Sequence, residues 1–144
     1  MFIGHFAAGF AAKRAVPRVS LGVLLAAAQL ADIVWPVLVL AGVEQVRIAP
    51  GATAYTPLEF VSYPWSHSLL LLAAWGALAG AAYRGILGGR RSFMAIAALV
   101  LSHWVLDWVT HAPDMPLYPD GPRVGLALWN SVPGTLVVES GRSE

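Results

Sequence analysis

His103, Asp107 and His111 stand four residues apart in the segment LSHWVLDWVTH. On a helix each step of four turns the chain by only about 40°, so the three polar side chains share one face. An imidazole and a carboxylate one turn apart are what a metal ion or a proton-transfer site needs. The segment lies in an apolar stretch, 92–112, of the length of a membrane span. An ionisable group at mid-membrane costs on the order of 2.5–3.5 kcal/mol, so something must offset it.

The composition fixes the setting of that stripe. Of the 144 residues 58% are hydrophobic and 12% charged, and the mean hydropathy is +0.66. A chain this apolar and this short is expected to be an all-α integral membrane protein forming one transmembrane domain over residues 1–144. Its first partner is the lipid bilayer, and a net charge of +1 gives no case for nucleic acid. Cysteine is absent, which leaves only nitrogen and oxygen ligands for a metal. In the opening MFIGHFAAGFAAKR the basic pair follows the apolar run, the wrong order for a cleaved signal peptide, so His5 is expected in the mature protein.

Three runs approach the ~20 residues that cross a ~30 Å core. They cover about 20–43, 67–87 and 92–111, and the sequence predicts them as full spans of a small helical bundle. An N-terminal helix, about 2–14, is too short to cross alone. A C-terminal membrane helix, about 124–138, is short and interrupted by Asn130, Pro133 and Gly134. Lys13, Arg14 and Arg18 precede the first span, and Arg84, Arg90 and Arg91 fill the turn between the second and third. The positive-inside rule places both clusters in the cytoplasm and segments 44–66 and 113–122 outside. Thr56-Pro57-Leu58-Glu59 reads as a capping box opening a surface helix, and Pro119-Asp120-Gly121-Pro122 reads as a turn. Tyr63, Trp65 and Tyr118 are expected at the outer interface.

Depth tests whether the scattered polar residues can meet. At 1.5 Å per residue His103 lies about 18 Å and Asp107 about 24 Å above Arg91, Asp32 about 21 Å above Arg18, and His67 about 25 Å above Arg84. These four share a layer in the outer half. His5 joins them, about 12 Å up, only if the N-terminal helix dips into the membrane as the first arm of a hairpin turning at 13–18. Two imidazoles and two carboxylates suit Zn²⁺ and would also serve Mn²⁺ or Fe²⁺.

Each residue also has a plainer reading. The His103/Asp107 pair could simply fasten helices together. His111 could be an added ligand, a general acid or base, or a solvated helix-end residue. Ser66 reads as the N-cap of the second span. Gln29 either orients Asp32 or bridges helices. Trp104 and Trp108 pack or face lipid, and Glu59 completes the capping box.

The order of motifs resembles a family of bacterial inner-membrane proteins described as membrane-bound metal-dependent hydrolases, over most of the chain. The elements are Gly4-His5, Ala31-Asp32-Ile33, Ser66-His67-Ser68, and LSHWVLDWVTH followed by Pro116-Leu117-Tyr118-Pro119. The resemblance implies that His5, Asp32, His67, His103 and Asp107 are metal ligands or their immediate partners, and that the protein hydrolyses something at the membrane. The chain departs from the pattern as well. Val34 and Trp35 stand where the family has an aspartate and a histidine, and Ser62-Tyr63-Pro64 where it has His-Arg-Gly. A two-metal site would thereby lose ligands, whereas a single-metal site would survive.

Two classes of function compete. In a membrane hydrolase, Asp32, His67 and His103 hold a divalent ion, with Asp107 as ligand or orienting partner. Asp107 or His111 takes a proton from metal-activated water, and the outer-half position favours a lipid-linked or envelope substrate. In a permease-like or structural protein the same cluster is an ion or proton site, or a non-catalytic metal site. The former predicts an open coordination position. The latter, as a permease, predicts polar residues continuing toward the cytoplasmic side.

Overall fold

Ser20 begins the first long apolar run by accepting the Val23 N–H on its hydroxyl (3.3 Å), an N-cap that starts a helix at Leu21. In the computed structural model, which describes residues 2–86 and 88–140, that run is two helices. They are α2 (Leu21–Ala28) and α3 (Leu30–Leu40), bent by 54° at Gln29. The run expected over 20–43 as one full span is therefore a bent pair and not a single helix. Pro36 inside α3 has no N–H to return to the Asp32 carbonyl, which loosens the helix beside the break.

The helix α1 (Phe2–Ala15) precedes this pair, as expected for 2–14. Lys13 Nζ donates to the carbonyls of Pro17 (2.9 Å) and Val19 (2.7 Å), closing the turn between α1 and α2. The hairpin expected to carry His5 is present, and α1 packs against both α2 and the long helix α6 (Arg90–Thr110).

Two helices are long and apolar enough to cross a membrane, α5 (Leu69–Ile86) and α6 (Arg90–Thr110). The bent α2–α3 pair makes a third crossing only if counted as one broken span. α5 opens at Leu69 because Ser68, not Ser66, caps it, its hydroxyl accepting the Leu71 N–H (3.3 Å). His67 instead ends a separate single turn, α4 (Pro64–His67). Leu87, at the expected end of this span, lies outside the described residues. α5 and α6 pack through Gly76 and Gly80. A Cβ there would meet the carbonyl oxygens of Ala97 at 2.9 Å and Phe93 at 2.8 Å, so only glycine lets the two backbones approach this closely. Leu24, Leu72 and Val100 form the buried centre, while Val37, Leu40 and Leu78 point outward, as side chains that face lipid would. Arg18 meets Arg90 and Arg91 around a cavity of about 610 Å³, so the two basic turns share one end of the bundle.

At the opposite end the chain is not all helical. β1 (Gln45–Ile48) and β2 (Leu58–Ser62) form an antiparallel hairpin with Arg47 opposite Glu59. The expected surface helix at 56–59 is therefore absent. Thr53 Oγ1 accepts the Thr56 N–H (2.8 Å) and Thr56 Oγ1 the Leu58 N–H (3.3 Å), fixing a turn that delivers Glu59 to the exposed side of a strand. A second small hairpin, β3 (Met115–Pro116) with β4 (Arg123–Val124), surrounds the expected proline-rich turn.

The C-terminal region is also shorter in helix than the expected 124–138. Residues 125–127 cross the end of α6, where Leu126 N–H donates to Trp108 (2.8 Å) and Ala127 N–H to His111 (2.7 Å). A Cβ on Gly125 would collide with the Ala112 carbonyl, so this crossing requires glycine. A 3₁₀ turn, Leu128–Asn130, then leads into α7 (Val132–Ser140). Glu139 of α7 accepts the Ile3 N–H (2.9 Å), satisfying a free amide of the first turn of α1.

Candidate metal centre

Asp32 and the α2–α3 break, α4, α1 and the C-terminal half of α6 converge on one buried group of side chains. The structure brings together all five residues proposed as ligands: His5, Asp32, His67, His103 and Asp107. Asp32 Oδ1 lies 3.5 Å from His67 Nε2 and 3.6 Å from His103 Nε2. Asp107 Oδ2 lies 3.8 Å from His67 Nε2 and 3.1 Å from His103 Nε2. Donor atoms about 2.0–2.1 Å from a tetrahedral Zn²⁺ stand about 3.3–3.4 Å apart. The four His–Asp separations bracket that edge length, and the residues whose ligand atoms all lie within 4.8 Å of one another form two overlapping groups, Asp32-His67-His103 and His5-His103-Asp107.

The outer hydrogen bonds decide which ring nitrogens face the centre. His103 Nδ1 lies 2.8 Å from the Ala28 carbonyl oxygen, which can only accept, so Nδ1 carries a proton and, in the neutral ring, Nε2 is the nitrogen with the lone pair. Although Nε2 is close to Asp107, it has no aligned hydrogen-bond partner. His67 is set the same way. Its Nδ1 lies 2.7 Å from the Ser66 hydroxyl, which lies 2.7 Å from Glu44 Oε2. Because Ser66 donates to the carboxylate, it accepts from His67 Nδ1–H and leaves Nε2 bare. Glu44 Oε1 in turn accepts the N–H groups of Trp65 (2.8 Å) and Ser66 (2.9 Å). Each Nε2 thus stands within 4 Å of a carboxylate oxygen of Asp32 and of Asp107. Such acceptors repel one another unless a cation or shared protons lie between them.

His5 occupies a different station. Its Nε2 pairs with the other Asp107 oxygen, Oδ1 (3.1 Å), and its ring stacks on that of His103 at 3.7 Å. It braces both residues from behind, and its Nδ1 is buried with no hydrogen-bond partner. No hydrogen bond joins the Gln29 side chain to Asp32 among the described residues, and its Oε1 is buried without a partner. Trp104 and Trp108 stack in parallel and Trp104 Nε1 donates to the Pro116 carbonyl (3.1 Å), a packing role.

A cavity of about 140 Å³ adjoins the centre, lined by Asp32, Trp35, Phe60, His67, Asp107, His111 and Trp129. His111 is buried, not a solvated helix end. Its Nδ1 lies 3.1 Å from Asp114 Oδ1, and the Tyr63 hydroxyl donates to the same oxygen at 2.7 Å. Tyr63, expected at the interface, is instead fully buried. Burial, reinforced by the Asp114 charge, raises the pKa of its phenol well above the ordinary tyrosine value, so it stays a proton donor to Asp114. Glu44, Tyr63, Asp114 and Trp129 are the contributors that sequence reasoning missed. Only Asp114 had a local signal, its i+3 spacing from His111.

No family model matches the chain, and neither does any curated protein or solved structure. The fold and site define a mostly helical protein with two helices suited to crossing a membrane and a buried His/Asp group that could hold a metal ion.

Proposed function

We propose that this protein is a membrane-embedded metal-dependent hydrolase of the bacterial inner membrane, using one Zn²⁺ held by Asp32, His67, His103 and Asp107. The observation that carries this reading is that the Nε2 atoms of His67 and His103 each lie 3.1–3.8 Å from carboxylate oxygens of Asp32 and Asp107, with both rings held from behind through Nδ1. Backbone carbonyl and hydroxyl partners of this kind set ligand tautomers in metal sites. The resemblance of Gly4-His5, Asp32, Ser66-His67 and LSHWVLDWVTH to the membrane-bound hydrolases points the same way.

When bound, the ion supplies a water of lowered pKa, near 7, and polarises a substrate oxygen. The chain supplies the rest. His111 donates an Nδ1–H hydrogen bond to Asp114 Oδ1, so its Nε2 keeps a lone pair that can take a proton. Asp107 orients through His5 while presenting its second oxygen to the centre. Trp35, Phe60 and Trp129 give the cavity an aromatic wall that limits water. With the basic turns in the cytoplasm, this end of the bundle faces outward, where a lipid-linked or envelope substrate is accessible.

Elemental analysis of detergent-purified protein tests the reading. One zinc per chain is expected, lost in His103→Ala and His67→Ala, with hydrolysis abolished in both. A fully folded, metal-free wild type that does not take up zinc would sink it.

A further inference from the structure

Arg18, Arg90 and Arg91 line the cavity of about 610 Å³ at the end of the bundle away from the metal centre, with Tyr83 and Ser92 beside them. Arg91 is about 18 Å along α6 from His103, so the two places share no residue. The volume falls within the ~300–1,000 Å³ of small-molecule sites. No carboxylate lines the cavity, and among the described residues none of the three guanidinium groups meets an aspartate or glutamate. A topology signal needs only positive charge somewhere in each loop. Here the charges of two turns are brought to one cavity, Arg18 from between α1 and α2, and Arg90 and Arg91 from the start of α6. Lys13, Arg14 and Arg84, at the same end, do not line it; Lys13 is engaged by the Pro17 and Val19 carbonyls. The N-cap of α6 is Gly89, which has no side chain to satisfy the first-turn amides, so the positive end of the helix adds to the same field.

We propose that this cavity binds the phosphate-bearing headgroup of an anionic phospholipid, at a second site independent of the metal centre. Three like charges around one space repel one another, and an anion between them reverses the sign of that interaction. Each guanidinium is a planar fork that donates two parallel N–H bonds to phosphate oxygens. Forks arriving from two separate turns suit a tetrahedral group approached from different sides. The surroundings favour a lipid over a free ion. The cavity lies at the ends of α5 and α6, the two helices apolar enough to cross a membrane, which is the depth of one leaflet's headgroups. Ile86 and Met94, each two residues from a lining residue, are exposed and offer acyl chains an apolar outer surface. Basic pockets between transmembrane helices recognise lipid headgroups through the same chemistry. A headgroup held here bridges the two turns and fastens the α1–α2 hairpin to the α5–α6 hairpin. A free phosphate presents the same oxygens, and the experiment separates the two.

Thermal unfolding of the full chain in a non-ionic detergent tests the site, with dioctanoyl phosphatidylglycerol as the probe and dioctanoyl phosphatidylcholine as the zwitterionic control. The first is expected to raise the midpoint saturably, because a ligand that binds only the folded state stabilises it. The second is expected to leave it unchanged. Arg18→Gln/Arg90→Gln removes two lining guanidinium groups and is expected to weaken the apparent affinity about a hundredfold, roughly tenfold for each charged hydrogen-bond donor lost. Arg14→Gln/Arg84→Gln removes the same charge from the same end outside the cavity, and at ordinary salt is expected to keep the affinity within about threefold. Equal losses in the two double variants would reduce the effect to general surface charge and overturn the site. So would a wild type that phosphatidylglycerol does not stabilise, or that phosphatidylcholine stabilises equally, outcomes that need no variant to fold. Inorganic phosphate at the same concentration is expected to give a much smaller shift; a matching shift would assign the cavity to a free ion and overturn the lipid. None of these readouts depends on zinc.

Discussion

The carbonyl oxygen of Ala28 lies 2.8 Å from Nδ1 of His103, across 75 residues of sequence. Ala28 is the last residue of α2 before the 54° break. A bend in one helix thereby sets the tautomer of a histidine on another. Replacing His103 removes both a ligand and the partner of that carbonyl. In His103→Ala the metal is expected to be lost, and the metal-free fold to weaken by about 1–3 kcal/mol for the buried acceptor left unpaired. Zinc content and denaturant unfolding of metal-free wild type and variant check the two parts separately.

Glu44 acts on the centre only through Ser66. Glu44→Gln keeps an oxygen for the Trp65 and Ser66 amides but places an NH₂ donor against the Ser66 hydroxyl. Ser66 then no longer accepts freely from His67 Nδ1–H. The fold is expected to survive while zinc affinity falls about 10- to 100-fold, the usual effect of losing an outer partner of a ligand. Glu44→Ala removes all three hydrogen bonds and is expected to destabilise by on the order of 3 kcal/mol. Chelator competition and thermal unfolding distinguish the two; equal zinc affinity in wild type and Glu44→Gln contradicts the relay.

Gly125→Ala places a methyl group against the Ala112 carbonyl. The crossing over α6 must lift, taking Trp129 from His111. A loss of about 1–3 kcal/mol is expected, with a changed Trp129 indole signal and unchanged zinc stoichiometry. A native-like Trp129 signal in this variant would show that the crossing does not depend on glycine.

Zinc binding is expected to release protons. With the ion removed, the four facing acceptors relieve their repulsion by sharing protons, about one to two per site, and these must leave when the ion returns. Affinity therefore falls as pH falls. Calorimetry in buffers of different ionisation enthalpy counts the protons; a value of zero across the neutral range would show that the emptied site does not take them up.

The ligand layer was legible because helical geometry is regular. Four-residue spacing put His103 and Asp107 on one face, and rise per residue brought Asp32 and His67 to their depth. His5 followed from the hairpin closed by Lys13. What escaped the sequence depended on distant partners. Residues 21–40 favour a continuous helix by composition, and nothing local marks the break at Gln29. Thr56-Pro57-Leu58-Glu59 satisfies a helix-start pattern, but pairing of Glu59 with Arg47 makes it a strand entry. Glu44 looked like a loop charge because Ser66, the residue that gives it a role, lies 22 positions on.

The bond from Ile3 N–H to Glu139 also makes α1 depend on the far end of the described chain. The helix that carries His5 gains this anchor only when α7 has been made. His5 therefore reaches its final packing late, and a chain cut between α6 and α7 would keep every other member of the centre while leaving the first turn of α1 untied.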